Sequence, residues 1–529
     1  MHWPGFSFRS FYVKRILLGS LALLSIFTSS LLAQGQQPGR SAAQKPVAAQ
    51  AAAAKPAPRQ DFEVPFVNKT LANGLEVIVL PDSGVPIVTV ELAVRNGSFT
   101  EPPELNGLSH LYEHMFFKTN KAAFLHRCEE LILRGGANPV CNEPMKSKAV
   151  IGDVSYLRNI NTLGITYNGT TREEVVNYYF TTTSPYLETA IKFINAAVRY
   201  PLFDENEFEN EKKVVIGELD RQEANPYFYL SQAMTDKLFF KYPTRKKPGG
   251  TKETVATATT DKMRTIQSRY YFPNNAALIV TGDVKPEEVF TYVEQTMGSW
   301  EKRAVDPFKE FPLVEHPPLP KSEAVIIEKD TGDGSQGSDQ NVFIQIGWHG
   351  PSIGKDNNGT YAADVFSYIL QQPDSRFQRN LVDSGLASGA AINYYTQRNV
   401  GPISVTLITT PDKSKAALKA LYAEIAQFGQ PNYFSDEELE NSKTILENND
   451  LFEREKSSEY AHTLGFWWSS TGIDYFRGYH RNLRSVSRAD INRYITTYIQ
   501  GKPHVGIALL SPAGKAKAGL TEQDLIGSK

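Results

Sequence analysis

Residues 110–114 read His-Leu-Tyr-Glu-His, and the spacing of the three ionisable groups suits a bound metal with a base beside it. The string follows Asn106-Gly107-Leu108-Ser109 and runs into the apolar patch Met115-Phe116-Phe117, which predicts a helix. On a helix, His110 and His114 stand four apart and project from one face. Two imidazoles so placed can take two corners of a zinc tetrahedron. Glu113 borders the same face, where it can accept a proton from water without being a ligand. The competing reading is a polar helix face that needs no metal, and a third ligand bears on the choice.

Tetrahedral catalytic zinc takes three protein ligands and leaves one open position. Residues 204–225 offer the carboxylates. Asp204 reads as an N-cap, with Glu207 three residues on as its capping-box partner. Glu211 and Glu218 are seven apart, two turns, and so face one way. Glu205, Glu207 and Glu209 read as a solvated acidic face. Glu218, after the apolar Val214-Val215-Ile216 run, reads as a buried and paired carboxylate.

The inverted H-x-x-E-H order, paired with a distant E-x6-E helix, resembles the zinc peptidases of the pitrilysin and mitochondrial-processing-peptidase family, the M16 group. The resemblance covers roughly residues 62–515. It implies that His110, His114 and Glu218 bind one Zn2+, that Glu113 is the general base, and that Glu211 holds a histidine from behind. Between the two helices, Asn168-Gly169-Thr170-Thr171 and Asn177-Tyr178-Tyr179 are similar to the family's Asn-Ala-x-Thr and Asn-Tyr-Tyr strand pair. That implies substrate contacts at Asn168, Gly169 and Thr170, with the peptide added as an extra strand at a sheet edge. The other reading of Asn168-Gly169 is an ordinary turn dipeptide. Tyr270 to Ala276, then Leu278-Ile279-Val280 and Gly282-Asp283, is similar to the end of the family's first domain.

Two departures stand out. The stretch from His114 to Asn168 is about twice the expected length, which places an insertion at about 120–160, containing Cys128 and Cys141. These two cysteines, the only ones in the chain, read equally as one disulfide or two free thiols. Active relatives also carry an Arg and a Tyr seven residues apart on a half without metal, where they stabilise the developing oxyanion. Aligned on Gly385-Leu386-Ala387, those positions here hold Leu381 and Ser388. Arg376 and Arg379 read as helix-surface residues, and Tyr394 and Tyr395 as part of the following strand. The resemblance therefore implies a peptidase working on short or unfolded peptides as the zinc-bearing half of a two-chain clamshell. A related subunit, rather than a second copy of this chain, would supply the Arg/Tyr pair. The competing classes are a non-catalytic assembly subunit and a protease that matures one dedicated peptide.

The positioning elements follow from hydrophobic period. Alternation marks strands at 76–80, 88–94, 165–171, 175–181 and 277–281, with helices at 186–199, 204–224, 228–239 and 285–297. A similar order restarts after the prolines at 307–320, with strands at 324–328, 342–348 and 504–510, a hairpin near 390–409, and helices near 359–371, 412–428, 435–455 and 487–498. The expected fold is α+β: two similar domains, each a mainly antiparallel sheet covered by helices, at 62–300 and 323–515, joined by a linker at 301–322 and followed by a tail at 516–529. Ahead of them, Arg9, Lys14 and Arg15 before an apolar run to Ala33 read as a signal peptide or membrane anchor. Residues 34–61 read as a Pro/Ala/Gln-rich tether. Export is expected, periplasmic or anchored in the inner membrane if the source is bacterial, with membrane contact only if that segment stays uncleaved. A net charge of −2 and the absence of basic runs set nucleic acid aside.

Overall fold

A computed structural model describes residues 63–158, 164–241, 247–313, 315–330 and 341–527. The segments expected at 1–33 and 34–61 lie outside the described residues. Among those described, no helix is long and apolar enough to cross a membrane.

The first sheet has six strands: β1 (Val67–Thr70), β2 (Glu76–Pro81), β3 (Ile87–Val94), β4 (Thr166–Thr171), β5 (Val176–Thr183) and β6 (Ala276–Gly282). They lie in the order β1-β2-β6-β3-β5-β4. The second sheet has five: β7 (Glu323–Glu328), β8 (Val342–His349), β9 (Gly389–Tyr394), β10 (Pro402–Thr409) and β11 (Val505–Leu510), ordered β7-β11-β8-β10-β9. Without β1, the two orders correspond strand for strand. In each sheet the only parallel pair among the described residues is β2–β6 or β7–β11; the other pairs are antiparallel. The expected α+β pair of similar, mainly antiparallel sheets is what the chain forms.

The longer helices are α1 (Leu108–Phe116), α2 (Lys121–Leu133), α3 (Leu187–Arg199), α4 (Glu205–Glu223), α5 (Pro226–Leu238), α6 (Thr260–Tyr270) and α7 (Pro286–Met297) in the first repeat. The second has α8 (Asn357–Gln371), α9 (Ser414–Gln427), α10 (Asp436–Arg454), α11 (Ser457–Ser470) and α12 (Arg488–Tyr498). Successive strand residues point to opposite faces, and both faces here are apolar. Val77, Val79, Val90, Leu92, Leu278 and Val280 join the core under α1, α3 and α7. Ile78, Leu80, Ala93, Ala277 and Ile279 point the other way, onto Tyr460, Leu464 and Trp468 of α11. The second sheet repeats the device: Val505, Ile507 and Leu509 meet Leu230, Met234 and Leu238 of α5. Each repeat therefore lends one helix to the other's sheet. Across one of these seams the buried Glu91 carboxylate pairs with His462.

Residues 120–158, where the sequence places an insertion, fold as α2 and several short helices and helical turns. Ala122, Leu125, Val154 and Leu157 make a small core of their own with Ala196 of α3. The Cys128 and Cys141 sulfurs lie at bonding distance, 2.11 Å.

Candidate metal centre and its relatives

α1 begins without the usual side-chain cap. Its N-cap is Gly107, left-handed at φ 81°. A Cβ there would also come within 2.6 Å of the Gly249 carbonyl oxygen. The free N–H groups of the first turn are taken from outside the helix: the buried Glu101 carboxylate accepts from Gly107 N at 2.8 Å and Ser109 N at 2.7 Å. Leu108, Leu111, Tyr112, Met115 and Phe116 anchor the helix in the core and leave one edge turned toward α4.

Along that edge His110, His114 and Glu218 come together, each offering one ligand atom, all within 4.8 Å of one another. Glu218 Oε2 lies 3.7 Å from His110 Nε2 and 3.6 Å from His114 Nε2. The two rings are nearly perpendicular, at 86° with centroids 4.9 Å apart. Two imidazole nitrogens and one carboxylate oxygen fit Zn2+ in chemistry and in number. Behind them, Glu211 Oε2 meets His114 Nδ1 at 3.1 Å, which fixes that ring's tautomer and leaves Nε2 toward Glu218. Lys118 Nζ holds the other Glu211 oxygen at 2.5 Å. His110 Nδ1 is buried with no hydrogen-bond partner among the described residues, so only one ring is supported from behind.

The electrostatics follow the geometry. Burial, then the positive charge of His114, hold His110 down at about 4, against the pull of Glu218. Burial also opposes charge on His114, but the bonds to Glu211 and Glu218 outweigh it and push that ring up to about 9. Burial pushes Glu211 and Glu218 up, and the bonds to His114, joined by Lys118 at Glu211 and by the charge of His110 at Glu218, more than compensate, so both carboxyls sit below their ordinary value. Glu113 differs: burial pushes it up to about 7, although His114 and Thr171 favour its charge.

Glu113 faces β4. Thr171 Oγ1 donates to its Oε2 at 2.7 Å, and a Cβ on Gly169 would lie 2.7 Å from its Cγ. Asn168-Gly169 is therefore mid-strand, paired with Tyr179 and Tyr178 of β5, and the turn reading is corrected. β4 is an edge strand, with Thr166, Tyr167 and Asn168 exposed. Asn168, Gly169 and Thr170 thus lie on a sheet edge beside α1.

Around Glu218 the local expectations hold in part. Asp204 does cap α4 through Asn206 N and Glu207 N. Glu207 does not close a capping box, because its carboxylate accepts from Thr119 N at 3.0 Å and Thr119 Oγ1 at 2.7 Å. Glu211 is the buried member of the pair, at 9% exposure, and Glu218 is half-buried. Leu381 is fully buried and Ser388 Oγ donates to the Ile408 carbonyl, so neither offers an Arg- or Tyr-like group. Arg376 pairs with Glu424, and Tyr394 ends β9.

Comparison with known proteins agrees with this architecture. Residues 77–141 and 145–247 match the Insulinase (Peptidase family M16) model, and residues 257–446 match the Peptidase M16 inactive domain model. The chain belongs to peptidase family M16. It is 23% identical over 395 residues to the uncharacterised zinc protease YmxG of Bacillus subtilis, covering 74% of this chain and 84% of that one. Among solved structures, a protease from Helicobacter pylori superposes with a TM-score of 0.68 at 19% identity, covering 84% of this chain and 99% of that one. The periplasmic protease PqqL of Escherichia coli gives a TM-score of 0.62 at 18% identity, covering 88% of this chain but only 49% of that one.

Proposed function

We propose that the chain is a zinc-dependent endopeptidase acting on short or unfolded peptides. The convergence of His110 Nε2, His114 Nε2 and a Glu218 oxygen on one point, with Glu113 beside it, supports this reading above all else. Those three side chains would hold the ion. Zinc there would supply a Lewis acid that polarises the scissile carbonyl and brings the pKa of water toward about 7.

The chain's own groups do the rest. Glu113, beside the three ligand groups, takes the proton of the attacking water and delivers it to the leaving amine. Thr171 holds Glu113 in place through its hydroxyl. The free edge of β4 receives the peptide as an added strand, with Asn168, Gly169 and Thr170 as contacts, which requires substrate with unpaired backbone groups. Folded proteins are poor substrates for that reason. Cys128 and Cys141 form a disulfide, which suits export to the periplasm or its membrane face. A related M16-like chain supplies the Arg/Tyr pair that Leu381 and Ser388 cannot. PqqL, about twice the matched length, has room for both halves in one chain.

Glu113→Gln tests the reading. Zinc content should stay at the wild-type level while turnover of an unstructured peptide falls by about 100-fold or more. Undiminished turnover would remove Glu113 from its role. Full zinc loading with no cleavage by the wild type, alone or with a partner subunit, would favour the non-catalytic assembly role.

A further inference from the structure

We propose that the cavity where the two repeats and their linker meet binds a small carboxylate with an apolar body, its charge held between Arg95 and Arg398.

The cavity measures about 230 Å³, room for roughly eight waters at ~30 Å³ each, or a ligand the size of benzoate. None of His110, His114, Glu113 or Glu218 lines it, so it is separate from the candidate metal centre. Arg95 follows β3 in the first repeat, and Arg398 follows β9 in the second. Both arginines line it, yet neither makes an ion pair with a described residue.

Arg95 is under-satisfied. Its guanidinium lies over the Trp468 ring at 4.1 Å, and one Nη donates to the Trp468 carbonyl at 3.4 Å, but its buried Nε makes no hydrogen bond. Burial and the positive charge of Arg398 bring it down to about 10, with Glu76 and Asp306 opposing. Arg95 is half-buried, and a guanidinium drawn out of water normally meets a carboxylate, because the desolvation cost is large otherwise. The acidic group of the lining is Glu174, and its two oxygens accept the Arg398 backbone N–H at 2.8 and 3.1 Å. Arg398 Nε meanwhile donates to the Ser470 carbonyl at 2.8 Å. Two arginines thus line a space whose one carboxylate accepts from main chain. A ligand carboxylate is planar and accepts forked guanidinium donors in pairs. Phe99, Phe308 and Leu313 form an apolar wall, which selects an anion with a hydrophobic body over a bare inorganic one. Such a ligand would contact both repeats and stabilise their association.

Calorimetric titration and thermal melting of the full chain with benzoate, benzamide and inorganic phosphate test this. Benzoate should bind at one site and raise Tm. Benzamide, its neutral counterpart, should do neither, and phosphate should bind more weakly than benzoate. Arg95→Gln and Arg398→Gln should each weaken benzoate by at least about tenfold, since a hydrogen bond to a charged group carries at least that. Arg398 has no buried unpartnered atom among the described residues, so its variant, checked for an unchanged ligand-free Tm, keeps the test valid if Arg95→Gln fails to fold. The proposal is overturned by no benzoate binding at millimolar concentration. It is equally overturned by benzamide matching benzoate, by phosphate binding more tightly, or by an unchanged benzoate affinity in folded Arg398→Gln.

Discussion

Glu113 and Gly169 lie in close contact: a Cβ at position 169 would come 2.7 Å from the Glu113 Cγ, so a side chain there must displace one or the other. Gly169→Val should push the carboxylate aside while leaving His110, His114 and Glu218 in place. Zinc content should then hold while kcat falls on the order of 100-fold, the cost of misplacing a reacting group by about an ångström. An unchanged kcat would show that the strand yields instead. Glu211→Gln should weaken zinc affinity by about 10- to 100-fold without removing a ligand, because only the support behind His114 is lost. Competition with a chelator reads that shift directly, and unchanged affinity would remove Glu211 from the role. The His110/Glu113/His114 spacing and the seven-residue step to Glu218 were legible because helical period fixes which residues share a face. The contacts of Glu101, Thr171 and Gly169 were not. Glu101 caps α1 from six residues before its N-cap, beyond any local capping pattern, and Thr171 meets Glu113 across 58 positions of chain.

At the scale of elements, strand alternation and helix period located most of both sheets, because their patterns are local. The exchange of α5 and α11 was hidden, since an apolar helix face does not say which sheet it covers. α11 itself has a weakly directional pattern, with buried residues on more than one side. Leu464 is fully buried in the seam between α11 and the first sheet. Leu464→Ala should cost about 2–5 kcal/mol and lower a single melting transition, rather than split off the second repeat. Two separated transitions would contradict the interlocked arrangement. Asp364 on α8 gives a second, pH-dependent expectation. Tyr479 OH donates to it at 2.6 Å, and burial pushes its carboxyl from 3.8 up to about 7. The unfolded chain releases this proton first, so stability falls as pH rises from about 4 and levels off above about 7. Asp364→Asn should therefore gain more Tm over the wild type at pH 7.5 than at pH 4. An equal gain at both would mean the carboxyl titrates normally in the folded state.

For the whole molecule, the two repeats share one topology but differ in chemistry. The first repeat carries the candidate centre, and the second holds Leu381 and Ser388 where the family resemblance leads one to expect an Arg and a Tyr. The chain alone should cleave an unstructured peptide slowly, and mixing it with a related M16-like chain bearing that pair should raise kcat/KM by at least about 100-fold, the size of effect seen when an oxyanion donor is supplied. Full activity from the lone chain would show that its own groups suffice. Everything at this scale presupposes that the edge between α1 and α4 holds a metal, and elemental analysis after exhaustive dialysis tests that most directly. The wild type and Glu113→Gln should retain about one zinc per chain, while His110→Ala and Glu218→Gln should lose it with their folds intact by circular dichroism. A wild type that binds no zinc, or a folded Glu218→Gln variant that keeps its full complement, would contradict the account.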